Sequence, residues 1–253
     1  MVQNLACHVA GRRRELAPAL EQRNPADLED VVARLPDAGA DLAAEAASAA
    51  SGALGPLAAG VEARADGLER IAVALLEQRS VLGELIARET GKAIGDAEGE
   101  VMRAGRLFRF FGGEALRVVG ERFASTRPGV TVEVSYDPVG VIGAITPWNF
   151  PVAIPAWKIG PALAYGNAVV WKPSEHASAS ASALMELIAG AGLPEGAVNM
   201  LLGARTAGEA LVGEPGIDAI SFTGSEATGR TVVGAAAQRG ARAQAEMGGV
   251  NGL

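Results

Sequence analysis

Asp137–Glu175 reads DPVGVIGAITPWNFPVAIPAWKIGPALAYGNAVVWKPSE, and its punctuation decides the fold. Val139 to Ile145 is an apolar, β-branched run broken only by Gly140 and Gly143 and flanked by Pro138 and Pro147, so it reads as a buried strand. Pro147-Trp148-Asn149-Phe150-Pro151 must then be a loop, because two prolines fix φ and neither offers an amide donor. From Ala153 to Tyr165 apolar residues recur at helical spacing, Pro161 predicts a kink, and Gly166-Asn167 closes the helix. Ala168 to Trp171 is a second apolar strand, and Lys172-Pro173-Ser174-Glu175 sets a cation and a carboxylate on the loop beyond it. Strand, loop, helix, strand, loop is the order of a right-handed βαβ crossover in a parallel sheet. Ligands of such sheets lie beyond the carboxyl ends of the strands, which predicts that Asn149, Lys172 and Glu175 share one crevice.

The alternation continues downstream. Helices are expected from Ser178 to about Gly190, over Ala207–Val212 and over Glu226–Arg239. Strands are expected at Val198–Leu202, Ile217–Phe222 and Ala241–Glu246. The fold class is therefore α/β, a doubly wound, Rossmann-like parallel sheet with helices on both faces. Upstream, Val130, Val132, Val134 and Tyr136 alternate with polar residues after the turn signal Arg127-Pro128-Gly129, which predicts a protruding β-hairpin. An isolated hairpin is rarely stable, so it reads either as an oligomerisation arm or as an edge strand folded back on its own subunit.

Val61 to Gly120 is helical in pattern. Val61, Leu68, Ile71, Leu75 and Leu76 form one face, Val81, Leu82, Leu85 and Ile86 the next, and Val101, Phe108, Phe111 and Ala115 a third; Gly91 and Gly95 break the run. Between Asp37 and Gly60, Ala, Gly and Asp dominate. Only Asp41–Ser51 reads as a helix there, weakly packed for want of large apolar groups. The layout expected is a helical part over 1–119, the hairpin over 120–138, the sheet core over 139–249 and the start of a further domain at 250–253.

At 253 residues and 49% hydrophobic, the chain can bury a real core. A net charge of −7, with Arg12–Arg14 as the only basic patch, argues against nucleic acid as a partner. No apolar run approaches the roughly 20 residues needed to cross a bilayer. The amino-terminal segment has no apolar core of a secretory signal, and the single cysteine, Cys7, can form no internal disulfide, so a cytoplasmic home is expected. His8 and His176 each stand without a second ligand at metal spacing, so no metal site is expected.

Ile145–Pro151 (ITPWNFP), Lys172–Glu175 (KPSE), Phe222–Gly229 (FTGSEATG) and Glu246–Gly249 (EMGG) together closely resemble the motifs of the aldehyde dehydrogenase superfamily. The resemblance runs from about Asn24, in an Asn24-Pro25-Ala26-Asp27 turn before a short strand, and covers only the first half of such an enzyme. ITPWNFPVAIPAWKIGPALAYGN is similar to the branch that oxidises small semialdehydes. The resemblance implies NAD as cofactor, with NADP left open, an aldehyde as substrate, and a homo-oligomer joined through 120–138. It carries cofactor contacts onto Ile145, Thr146, Pro147, Trp148, Lys172, Ser174, Glu175, Gly208, Gly224, Ser225, Thr228 and Gly248. Without the resemblance, Ser225 reads as an N-cap and KPSE as a solvated turn. A carboxylate at Glu175 would accept from ribose hydroxyls and repel a 2′-phosphate.

In the resembling enzymes a cysteine thiolate adds to the aldehyde, because a bare carbonyl carbon holds no alkoxide to expel hydride. An amide stabilises the oxyanion, and a carboxylate activates the water that releases the acid. Asn149 and Glu246 match the amide and the carboxylate. Cys7 does not match the nucleophile, which lies past the EMGG motif in that family. Val250 stands where a Lys is usual and Gly252 where a Pro is usual. The chain is therefore expected to be inactive alone, the alternative being a non-catalytic, dinucleotide-binding or oligomerising fragment. A short-chain dehydrogenase is excluded because Tyr165 and Lys172 do not share a helix face, and a serine hydrolase because no GxSxG is present.

Overall fold

A computed structural model describes residues 2–117 and 120–249. The expectations placed on Val250, Gly252 and the 250–253 segment lie outside the described residues. The central strands are β8 (Val141–Ile145), β9 (Ala168–Lys172), β10 (Val198–Met200), β11 (Ala219–Thr223) and β12 (Arg242–Glu246), all parallel to one another. Every residue of β9 is buried, as expected of a strand covered on both faces. The sheet order is β12-β11-β8-β9-β10, followed by β2 (Cys7–Val9) and β3 (Arg12–Arg14), which add antiparallel. The chain thus builds outward from β8 in one direction, returns, and builds outward in the other. That reversal leaves a crevice between the tips of β8 and β11.

One face of the sheet carries α1 (Ala40–Ala59), α7 (Arg205–Gly213) and α8 (Glu226–Gln238). The other carries α5 (Ala153–Ala164) and α6 (Ser178–Ala189), backed by α2 (Val61–Glu77), α3 (Arg79–Thr90) and α4 (Ile94–Ala115). Gly143 in β8 leaves room for its neighbours' side chains: a Cβ there would sit 2.7 Å from Ile220 of β11, 3.0 Å from Ile217 before it and 3.5 Å from Leu211 of α7. The β-hairpin of β6 (Gly120–Ala124) and β7 (Thr131–Ser135) protrudes, with all ten strand residues exposed.

Several expectations are corrected. The 1–119 span is not wholly helical, because its first residues form strands. A small second sheet holds β1 (Gln3–Asn4), β5 (Asp27–Leu35) and β4 (Leu20–Asn24), while β2 and β3 extend the main sheet. β4 and β5 pair across the Asn24–Asp27 turn, whereas β1, β2 and β3 are only two or three residues each and join their sheets through the remote β5 and β10, so no local alternation announces them. The edge strand β3 is three arginines, of which Arg13 pairs with Glu186 at 2.8 Å and Arg14 with Glu45, which protects the edge. The helix read at Asp41–Ser51 is neither short nor weakly packed. It runs over 20 residues and buries Leu42, Ala43, Ala46, Ala47, Ala50, Ala53 and Leu57. Alanine lets its backbone approach β8, β9 and β10 closely, so contact comes from proximity where side-chain size is lacking. Gly91 does end a helix, in the left-handed region at φ +74°, but Gly95 lies inside α4. Val61 and Val81, assigned to buried faces, are 40% and 68% exposed.

Candidate active site

The four parallel strands β9, β8, β11 and β12 end side by side. In register, Ile145 lies opposite both Lys172 and Phe222, and Thr223 lies opposite Glu246. Hydrogen bonds continue past the strand ends, from Thr146 N to Lys172 O at 3.2 Å and from Gly224 N to Glu246 O at 3.1 Å. The segments following these strands therefore leave the sheet as one row, and they carry the residues that the sequence singles out.

Ile145 is half-buried at the end of β8, and Thr146 beside it is buried, its Oγ1 accepting from Trp171 Nε1 at 2.9 Å. Pro147 is half-buried, and Trp148 and Asn149 are exposed. Lys172 is buried at the end of β9, with Nζ 3.3 Å from Glu175 Oε2. Burial pushes the Lys172 ammonium below its ordinary range, against the pull of Glu175. Burial acts on Glu175 in the opposite sense, but the Lys172 charge helps to hold its carboxyl below the usual value, so Glu175 is charged at neutral pH. Ser174 is buried and committed to its own turn, its Oγ accepting from His176 N at 3.3 Å.

Ser225 is the N-cap of α8: its Oγ accepts from Thr228 N at 3.3 Å and donates to Thr228 Oγ1 at 2.9 Å. Capping and anion binding are compatible here, since the remaining first-turn amides of an exposed helix start still face outward. A Cβ on Gly224 would sit 2.6 Å from the Phe222 ring, so this turn accepts only glycine without a shift. Gly208 lies in α7, next to α8, and a Cβ there would meet nothing within 4 Å. Glu246 is exposed at the end of β12, its Oε1 accepting from Gln244 Nε2 at 2.7 Å. Met247 turns back against Gly229 of α8, which fixes the exit of β12, and Gly248 is exposed beyond it.

Lys158 was missed by sequence reasoning. It is buried on α5, donates to Ser221 Oγ at 2.8 Å, and lines a cleft of about 680 Å³ together with Trp157, Ser221, Gln244 and Glu246. Burial lowers its ammonium to about 8, and the negative charge of Glu246 resists that fall. The signal was legible in principle, because Lys158 is the sole charge between Ala153 and Tyr165. Also missed were Lys92 and Glu100, whose contacts with the Asn149 loop span more than fifty residues of sequence.

Among the described residues, no group of three His, Cys, Asp or Glu is placed to hold a metal ion, and no helix is long and apolar enough to cross a membrane. Cys7 is fully buried in β2, its Sγ accepting from Leu202 N at 3.2 Å, and burial pushes its thiol up to about 11. The row of strand ends offers what a dinucleotide needs: a carboxylate and an ammonium together, a glycine turn, and a helix start whose remaining first-turn amides face outward.

The family model described as the aldehyde dehydrogenase family matches residues 13–253. The chain is 36% identical to an alpha-ketoglutaric semialdehyde dehydrogenase of Bacillus subtilis, over 90% of this chain and 47% of that protein. It is 38% identical to an alpha-ketoglutarate semialdehyde dehydrogenase of Haloferax volcanii, over 94% of this chain and 50% of that one. Among solved structures, an NAD-dependent aldehyde dehydrogenase from Sinorhizobium meliloti superposes with a TM-score of 0.94 at 31% identity, covering 98% of this chain and 51% of its own. A betaine aldehyde dehydrogenase from Staphylococcus aureus in complex with NAD+ superposes with a TM-score of 0.91 at 30% identity, covering 96% and 50% respectively. The chain spans about half the length of the relatives it matches. With strand order, crevice and motifs all in agreement, the chain belongs to the aldehyde dehydrogenase family.

Proposed function

We propose that these 253 residues form the dinucleotide-binding half of an NAD-dependent dehydrogenase that oxidises a small semialdehyde to a carboxylic acid. The observation that carries the reading is the shared edge: the Asn149 loop, the Lys172–Glu175 pair, the Gly224-Ser225 turn and Glu246 all leave adjacent parallel strands. The similarity to two ketoglutarate semialdehyde dehydrogenases supports the substrate class.

In this reading Lys172 donates to, and Glu175 accepts from, the adenosine ribose hydroxyls. The pyrophosphate faces the start of α8, where backbone amides and the helix dipole favour negative charge. The bound nicotinamide supplies a hydride acceptor. The Asn149 carboxamide donates to the substrate oxygen as charge develops on it, and Glu246 takes a proton from the hydrolytic water. Lys158 faces Glu246 across the cleft and sets a positive charge against that carboxylate.

The charged Glu175 disfavours a 2′-phosphate, which selects NAD over NADP. Calorimetric titration of the chain with each nucleotide tests this. NAD should bind the tighter, and Glu175→Gln should narrow the gap by about tenfold, the worth of roughly 1.4 kcal/mol. Equal affinities in the unmodified chain would refute the preference.

A second reading, a dinucleotide-binding fragment without turnover, is favoured by the state of Cys7. A buried thiol raised to about 11 is no nucleophile at neutral pH. Iodoacetamide at pH 8 should label Cys7 at least about a hundredfold more slowly in the folded chain than in denaturant. Rapid native labelling, or an acyl adduct at Cys7 after incubation with aldehyde and NAD, would show that the chain carries its own nucleophile.

A further inference from the structure

Lys92, in the turn between α3 and α4, and Glu100, on α4, form a pair that the roles above leave unused. Lys92 Nζ lies 2.5 Å from Glu100 Oε2, with the lysine side chain 16% exposed and the glutamate side chain wholly buried. The second carboxylate oxygen, Oε1, accepts from the backbone N–H of Val152 at 2.9 Å and of Ala153 at 3.1 Å. Those are the N-cap and first residue of α5, so a carboxylate from another helix supplies the cap that this apolar helix start lacks. Lys92 then spans the loop: its Nζ donates to the Asn149 carbonyl at 2.8 Å and lies 4.1 Å from the centroid of the Phe150 ring.

The loop needs such external support because Pro147 and Pro151 remove two of its own backbone donors. The pair holds it at 149, 150, 152 and 153. A buried ion pair adds little net stability, because desolvation offsets the attraction, but it fixes geometry. An oxyanion donor needs geometry fixed to within about 0.5 Å.

The geometry points to Lys92 and Glu100 as positioning residues, a clamp that aims the Asn149 carboxamide at the crevice. This inference rests on the reading of Asn149 as the oxyanion donor. The clamp acts through the backbone at 149–153 and touches neither the Lys172–Glu175 pair nor the start of α8, so its loss disturbs Asn149 far more than those cofactor contacts.

The test is NMR on the intact 253-residue chain, comparing the unmodified protein with Lys92→Met, Lys92→Arg and Glu100→Gln. In Lys92→Met, hydrogen exchange at Val152 and Ala153 should rise at least tenfold, and the Asn149 side-chain amide pair should lose its dispersed shifts. Protection in α2 should change less than twofold. Lys92→Arg, which keeps the cation, should recover the Asn149 side-chain signature, and Glu100→Gln, which keeps an acceptor for the α5 amides, should lose that signature with less change at Val152. An unmoved Asn149 signature in both Lys92→Met and Glu100→Gln overturns the clamp. A loss of protection spread over α2 and α4, without rescue by Lys92→Arg, also overturns it, by reducing the pair to a plain stabiliser. Should the unmodified chain fail to bind NAD, the cofactor reading falls while the comparison of loop signals still decides the clamp.

Discussion

Lys158 shows how one side chain can trade stability for a charged site. Its folded pKa, about 8, lies below the ordinary 10.5 because burial disfavours the ammonium. For a group with a depressed pKa, the stability contribution is present above the unfolded value and is lost as pH falls through the folded one. The protein should therefore carry a penalty from Lys158 at pH 7 that disappears by about pH 10.5. Lys158→Met is expected to raise the unfolding free energy at pH 7 by on the order of 2 kcal/mol, with the difference closing toward pH 10.5. Urea titrations at the two pH values check this, and a difference independent of pH would show that Lys158 sits in water. Lys158 was visible in the sequence as one cation in an apolar helix. What the sequence withheld was its surroundings, since Ser221 and Glu246 arrive from strands more than sixty residues further on.

Among the elements, α6 depends on a cap borrowed from α3. Glu89 is buried and accepts from Ala179 N at 2.6 Å and Ser180 N at 2.9 Å, and also from the Ser180 hydroxyl. Glu89→Ala leaves those donors buried without partners and should cost about 2–4 kcal/mol, lowering the melting temperature by roughly 5–12 °C. A calorimetric scan measures it, and a shift under about 2 °C would mean that water replaces the carboxylate. Elements punctuated by proline, glycine and a clear period were legible in the sequence: β8, β9 and β11, each followed by its helix, α5, α6 and α8 respectively. The strand-end motifs of the candidate site were legible for the same reason. Elements whose stability comes from distant partners were not. The α1 run Ala43, Ala46, Ala47, Ala50 looks bare until β9 lies under it, and Gln3-Asn4 is a strand only beside Ala33-Arg34. Glu89 and Glu100 carry no signal in the sequence, because nothing in a helix period says which donors another helix will bring.

For the whole molecule, the hairpin formed by β6 and β7 leaves Phe123 48%, Val130 47% and Val132 44% exposed. A row of large apolar groups on a two-stranded ribbon is unfavourable in water, and a second copy of the chain is the proposed cover. Replacing 121–135 with a short Gly-Ser linker should leave the melting temperature within about 2 °C, because the ribbon adds nothing to the sheet core, while converting an oligomer to a monomer by light scattering. A linker variant that keeps its assembly would place the contact elsewhere. The Trp171 indole, locked on Thr146 at the foot of the crevice, has a consequence of another kind. Trp148 and Trp157, each about half exposed, face solvent near the rim, whereas Trp171 sees none. Acrylamide will silence the outer pair and spare the inner one, so the residual blue emission is an optical gauge wired directly to the floor beneath any guest.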